Sequence, residues 1–111
     1  MYIPNKDVYE ILKSVKTGVS VYPNRPEVIE NPPCMTYFVE NNGIELDLSK
    51  EIAYQDIDIV VDIWAKTMLE ATEILDLLEG DMRENNFMLD FSSEVDDENL
   101  KHITTRFNFI G

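Results

Sequence analysis

The chain has 111 residues, 44% of them hydrophobic and 28% charged, and 9 Lys+Arg stand against 22 Asp+Glu for a formal net charge of -13. That is the size and composition of one globular domain spanning 1–111, and the acidic excess argues against gripping nucleic acid through its phosphates or lying on an anionic membrane. The single cysteine, Cys34, excludes an intrachain disulfide and suits a reducing compartment.

Met1-Tyr2-Ile3-Pro4-Asn5 leads into a polar turn and not into an apolar leader. Asn5 is expected to cap a first helix whose stripe is Val8, Ile11, Leu12 and Val15. Lys13 and Lys16 lie near its C-terminus and Gly18 ends it. Val19 to Tyr22 reads as a short strand stopped by Pro23. From Pro23 to Pro33 four prolines and two asparagines predict an exposed, irregular loop. Cys34 to Glu40 reads as a second strand. Asn42-Gly43 then signals a tight hairpin turn into a third strand, where Ile44, Leu46 and Leu48 alternate with polar residues.

Ile52 to Lys66 is the longest predicted strand. Ile57, Ile59, Val61 and Ile63 fall on every second residue, with Asp56, Asp58 and Asp62 between them. Side chains of a strand alternate between faces, so this pattern gives one oily face and one wet face. The period then changes. Ala71, Ile74, Leu75, Leu78 and Met82 form one helical stripe. Thr67 and Glu70 make a capping box at its start, and Asn85 or Asn86 can end it. Phe87 to Glu94 is a strand with Leu89 and Phe91 inward. Asp96 to Asn99 is an acidic turn, and Leu100 to Ile110 is a closing strand with Ile103, Phe107 and Phe109 on one face. The predicted fold is α+β: a mostly antiparallel sheet with two helices packed on one face, in the order α-β-β-β-β-α-β-β.

Candidate chemistry is sparse. Asp56 and Asp58, two residues apart on a strand, stand roughly 6–7 Å from each other, and a hard cation there needs further oxygens that the spacing does not supply. Cys34 and His102 raise a thiolate–imidazole pair, but no nucleophile motif surrounds Cys34. A buried strand cysteine and a surface histidine are the simpler reading. Gly18, Gly43, Gly80 and Gly111 form no phosphate-binding loop. No catalytic residue, metal site or cofactor is therefore expected, and an interaction protein fits better than an enzyme. Trp64 either anchors an interface or closes the core at the strand end.

The segment Tyr54 to Ala65, followed by the capped helix, resembles the tail-completion, or tail-terminator, proteins of long-tailed bacteriophages and prophages. So do Val19 to Tyr22 with the proline-rich loop, Met35 to Glu40 before a hairpin, and the closing run His102 to Phe109. The resemblance implies a structural virion protein of the neck, made in the host cytoplasm. Its partners would be copies of itself in a ring, commonly of six, the tail tube protein and the head-to-tail connector protein. Genomic DNA would pass through without specific binding, and no membrane is involved. On this reading the candidate assembly residues are Tyr22, Asn24, Arg25, Glu27, Asn41, Asn42, Glu45, Asp56, Asp58, Asp62 and Trp64. Two other readings fit the same composition. One is a dimeric chaperone of secretion effectors. The other is a non-catalytic, ligand-sensing α+β domain.

Overall fold

The computed structural model describes residues 4–24, 32–46, 52–95 and 99–109; for 4–5, 41–46 and 52–55 the description is of the backbone. The fold is α+β, in the order α1 (Pro4–Val15), β1 (Ser20–Pro23), β2 (Cys34–Leu46), β3 (Ile52–Ala65), α2 (Met68–Glu84), β4 (Phe87–Val95) and β5 (Lys101–Phe109). The five strands form one sheet in the spatial order β1-β2-β3-β5-β4. β1 runs parallel to β2, and the other neighbours are antiparallel.

Local chemistry explains both helix ends. Thr67 sits in extended backbone and its hydroxyl accepts from the Glu70 N–H at 3.2 Å, satisfying a donor that the helix itself leaves open. Asn86 takes a positive φ of 69° just past the C-cap, Asn85, and Gly18 takes φ 90° after α1. Helix α1 begins at Pro4, one residue before the expected cap at Asn5, which therefore lies inside it. Proline suits the first turn because its missing N–H has no partner there. No described helix is long and apolar enough to cross a membrane.

One core holds these elements together. The buried stripes of α1 (Val8, Ile11, Leu12, Val15) and α2 (Ala71, Ile74, Leu78, Met82) join Ile57, Ile59, Val61 and Ile63 of β3 in a single cluster. Val19, Val21, Met35, Tyr37, Ala65, Phe87, Ile103 and Phe107 complete it. Leu75, Leu89 and Phe109 pack on its margin, half-buried. Thr105 is a polar residue in this apolar setting. Its hydroxyl donates to the Val61 carbonyl at 2.7 Å, so its burial leaves no donor unmatched.

Three further expectations are corrected. Asn42-Gly43 does not turn the chain. β2 runs on through it, pairing Asn41, Asn42 and Gly43 with Asp58, Ile57 and Asp56. The preference of Asn-Gly for a turn is local, and a long partner strand outweighs it by pairing the whole segment. The expected strand at 34–40 and the described part of the one expected at 44–49 are thus one strand, Cys34–Leu46, and the order is α-β-β-β-α-β-β. The reversal between β2 and β3 falls outside the described residues, as do the acidic residues 96–98 and most of the proline-rich loop. Phe91, expected inward, is 54% exposed. A bulge between Leu89 and Phe91 inserts an extra residue, which moves Phe91 to the opposite face. The third correction concerns His102 and is taken up with the site.

β3 is longer than the strand beside it. Among the described residues β5 pairs with β3 only from Asp58 onward, so for the backbone of 52–57 the one described strand partner is β2. That two-stranded ribbon overhangs by roughly 20 Å at a strand's rise per residue. The radius of gyration is 14.8 Å, against about 13 Å for a compact domain of this length. The longest dimension of 52 Å is twice the next, 26 Å.

Candidate functional site

The sheet has a second face, built from the residues that alternate with the core set. Register places them in rows across the strands. Cys34, Trp64, His102 and Val95 form one row. Thr36, Asp62, Thr104 and Ser93 form the next, and Phe38, Val60, Arg106 and Phe91 the third. Asp58, Asn108 and Met88 lie in the fourth.

Trp64, His102, Thr36 and Asp62 of the first two rows make a closed polar–aromatic cluster. The Trp64 indole stacks on the His102 imidazole with ring centres 3.7 Å apart and planes 16° from parallel. Its Nε1–H donates to the Thr36 hydroxyl at 3.3 Å. His102 Nε2 lies 2.8 Å from Asp62 Oδ1, and a carboxylate only accepts, so Nε2 carries the proton. The His102 and Asp62 side chains are 12% and 17% exposed. His102 is therefore not the expected surface residue. Antiparallel register with Trp64 puts its ring under the indole, where stacking and the Asp62 bond hold it.

Cys34 is fully buried, and desolvation pushes its thiol from 9.0 to about 11. Trp64 stands between Cys34 and His102 in the row, so the two are two strands apart. That is about 9.5 Å, beyond any proton transfer between thiol and imidazole. A buried thiol kept protonated is a packing group.

The third and fourth rows are open. Phe38 is 43% and Met88 57% exposed. Arg106 Nη2 reaches Glu40 Oε1 at 2.8 Å; because these residues stand on β5 and β2, their pair crosses β3. The Asn108 amide nitrogen donates to both Asp56 Oδ1, at 3.0 Å, and Asp58 Oδ1, at 2.8 Å. One neutral amide thus holds two carboxylates side by side. A hollow of about 300 Å³ lies here, lined by Val60, Phe91, Thr104, Thr105 and Arg106. Among the described residues no three of His, Cys, Asp and Glu converge as metal ligands would.

Of the residues singled out by sequence, Asp56, Asp58, Asp62 and Trp64 are brought together on this face. Trp64 is buried and closes one end of it, so it is not an exposed anchor. Tyr22, paired with Thr36, lies at the far edge on β1. Asn24 follows β1 with φ 81° and donates its N–H to the Tyr37 carbonyl. Arg25 and Glu27 lie outside the described residues. Asn41, Asn42 and Glu45 belong to the β2 ladder, where a projecting turn was expected. Sequence reasoning missed Phe38, Glu40, Met88, Phe91 and Arg106. Alternation along β5 could have flagged Arg106, which stands between inward Thr105 and Phe107.

No protein-family model matches this chain, and no curated protein sequence matches it.

Proposed function

We propose that this chain is a structural subunit of the head–tail junction of a long-tailed phage or prophage particle, where a homo-oligomeric ring caps the tail tube and meets the head connector. The observation that carries this reading is the β2–β3 ribbon. From Ile52 to Ile57, β2 is the one strand that pairs with β3 among the described residues. An isolated two-stranded ribbon is marginal in water, and ordering each residue opposes folding by about 1–2 kcal/mol. An arm of this kind is stabilised when a neighbouring subunit covers it. A head-to-tail ring needs two different patches on each subunit, and the ribbon is one of them. The resemblance along Tyr54 to Ala65 supports the same reading. The charge of -13 fits a lumen along which DNA slides, because repulsion removes the phosphate attraction that would hold it. The same charge opposes self-association at low ionic strength, where it is least screened. The free chain is accordingly expected to be monomeric in dilute buffer and to form rings on the tube.

The test is to shorten the ribbon. Residues 44–55 are replaced by a two-residue Asn-Gly turn joining Gly43 to Asp56, which pair directly. On this reading, wild-type chain mixed with the tail tube protein of the same particle should place a ring at one tube end in electron micrographs. The shortened chain should fold and give bare tube ends. A shortened chain that still caps tubes removes the ribbon from the assembly. A wild-type chain that is a salt-independent dimer and ignores tubes sinks the ring reading in favour of a chaperone.

A further inference from the structure

The open rows of the second sheet face combine features that a solitary soluble subunit gains nothing by displaying. Phe38 on β2 and Met88 and Phe91 on β4 are each exposed by more than two-fifths. Large apolar side chains gathered on one face mark an interaction site more often than scattered ones do. The hollow beside Val60 and Phe91 can take one side chain. It is walled by Arg106, whose pair with Glu40 crosses β3 next to it. Both members of that pair are about two-fifths exposed, and such pairs are weak. It can yield to a competing cation.

Charge selects the occupant. Among the described residues, the open rows carry Glu40, Asp56 and Asp58 against Arg106. The Asn108 amide fixes Asp56 and Asp58 next to each other in advance of any contact. A second copy would bring a further charge of -13 against this acidic rim, and like charges facing each other disfavour a complex. A basic surface meets the opposite situation. We propose that this face docks a cationic protein surface, which seats one apolar side chain in the hollow between Val60 and Phe91 and sets lysine or arginine over Asp56 and Asp58. The inference uses neither the ribbon nor the ring, so it can fail while the ring reading stands, and the reverse.

The full-length chain, isotope-labelled for amide NMR, is titrated with a short synthetic peptide of alternating lysine and leucine. Two control peptides replace leucine by serine or lysine by glutamate. The lysine–leucine peptide should shift the amides of Phe38, Val60, Phe91, Thr104 and Arg106. Phe91→Ser should weaken its binding about tenfold, as loss of a central anchor does. Asp58→Asn should weaken binding and flatten its salt dependence, and both controls should bind less well. Phe38→Ser, on a different strand, is the second variant should Phe91→Ser disturb the fold, which unchanged Trp64 emission would rule out. Equal binding of the lysine–serine peptide reduces the effect to bulk charge and overturns the proposal. So do shifts confined to α1 and α2, or an unweakened Phe91→Ser and Phe38→Ser. Concentration-dependent shifts of the same amides without peptide would make a second copy the occupant and overturn it as well.

Discussion

Replacing His102 by alanine tests the buried cluster directly, because the chain has one tryptophan and one histidine and they lie against each other. Two interactions are lost. An aromatic stack of this geometry contributes about 0.5–1.5 kcal/mol beyond its area. The hydrogen bond to Asp62 contributes about 1–2 kcal/mol, since its acceptor is a largely buried carboxylate that would be left without this donor. His102→Ala should therefore destabilise the fold by about 2–3 kcal/mol in urea denaturation, with an unchanged slope. Trp64, 2% exposed in the intact protein, should shift its emission to longer wavelength as water reaches the indole. His102→Phe separates the terms: it keeps a ring under the indole and loses the bond, so it should recover the emission and about half the stability. If His102→Ala leaves both emission and midpoint unchanged, the β3–β5 register that stacks these rings is wrong.

Leu78 and Leu69 lie on opposite sides of α2, one fully buried and the other 74% exposed. Leu78→Ala should cost about 2–5 kcal/mol, against about 0.5 for Leu69→Ala; equal denaturation midpoints would refute the phase of the helix. Cys34 should react with iodoacetamide at pH 8.5 about a hundredfold more slowly in the native than in the unfolded chain, since burial raises its thiol from 9.0 to about 11. The folded state holds that proton more tightly. The corresponding stability is thus fully present below pH 9.0 and is lost as pH climbs through about 11, and alkaline denaturation should steepen in that window. Rapid native labelling would contradict the burial of the strand end.

The sequence patterns that survived folding are those with a strong period and a partner close at hand. Ile57, Ile59, Val61 and Ile63 bury as their alternation implies, and Ala71, Ile74, Leu78 and Met82 as their helical spacing implies. What failed depends on a distant strand. Asn42-Gly43 is a turn by local preference, yet β3 pairs it into a ladder. Phe91 alternates correctly with Leu89 in sequence, and only the bulge against β5 sends it to the other face. His102 carries no local mark of burial, because its neighbour Trp64 is 38 residues away in the chain and is set by register. The open face was half legible: its aspartates were read from β3, while its aromatic and basic members come from β2, β4 and β5.

The spatial order β1-β2-β3-β5-β4 has a consequence for synthesis. A ribosome that has delivered Val95 has made β3 and β4, but not the strand that lies between them. Until β5 arrives, β3 exposes one backbone edge from Asp58 to Ala65, and β4 has no strand partner among the described residues. Loop closure over the roughly fifty residues separating Asp58 from Asn108 then completes the sheet in one late step. During that interval the nascent chain shows the open edges that promote aggregation. Its abundance of carboxylates keeps neighbouring nascent chains apart while it waits.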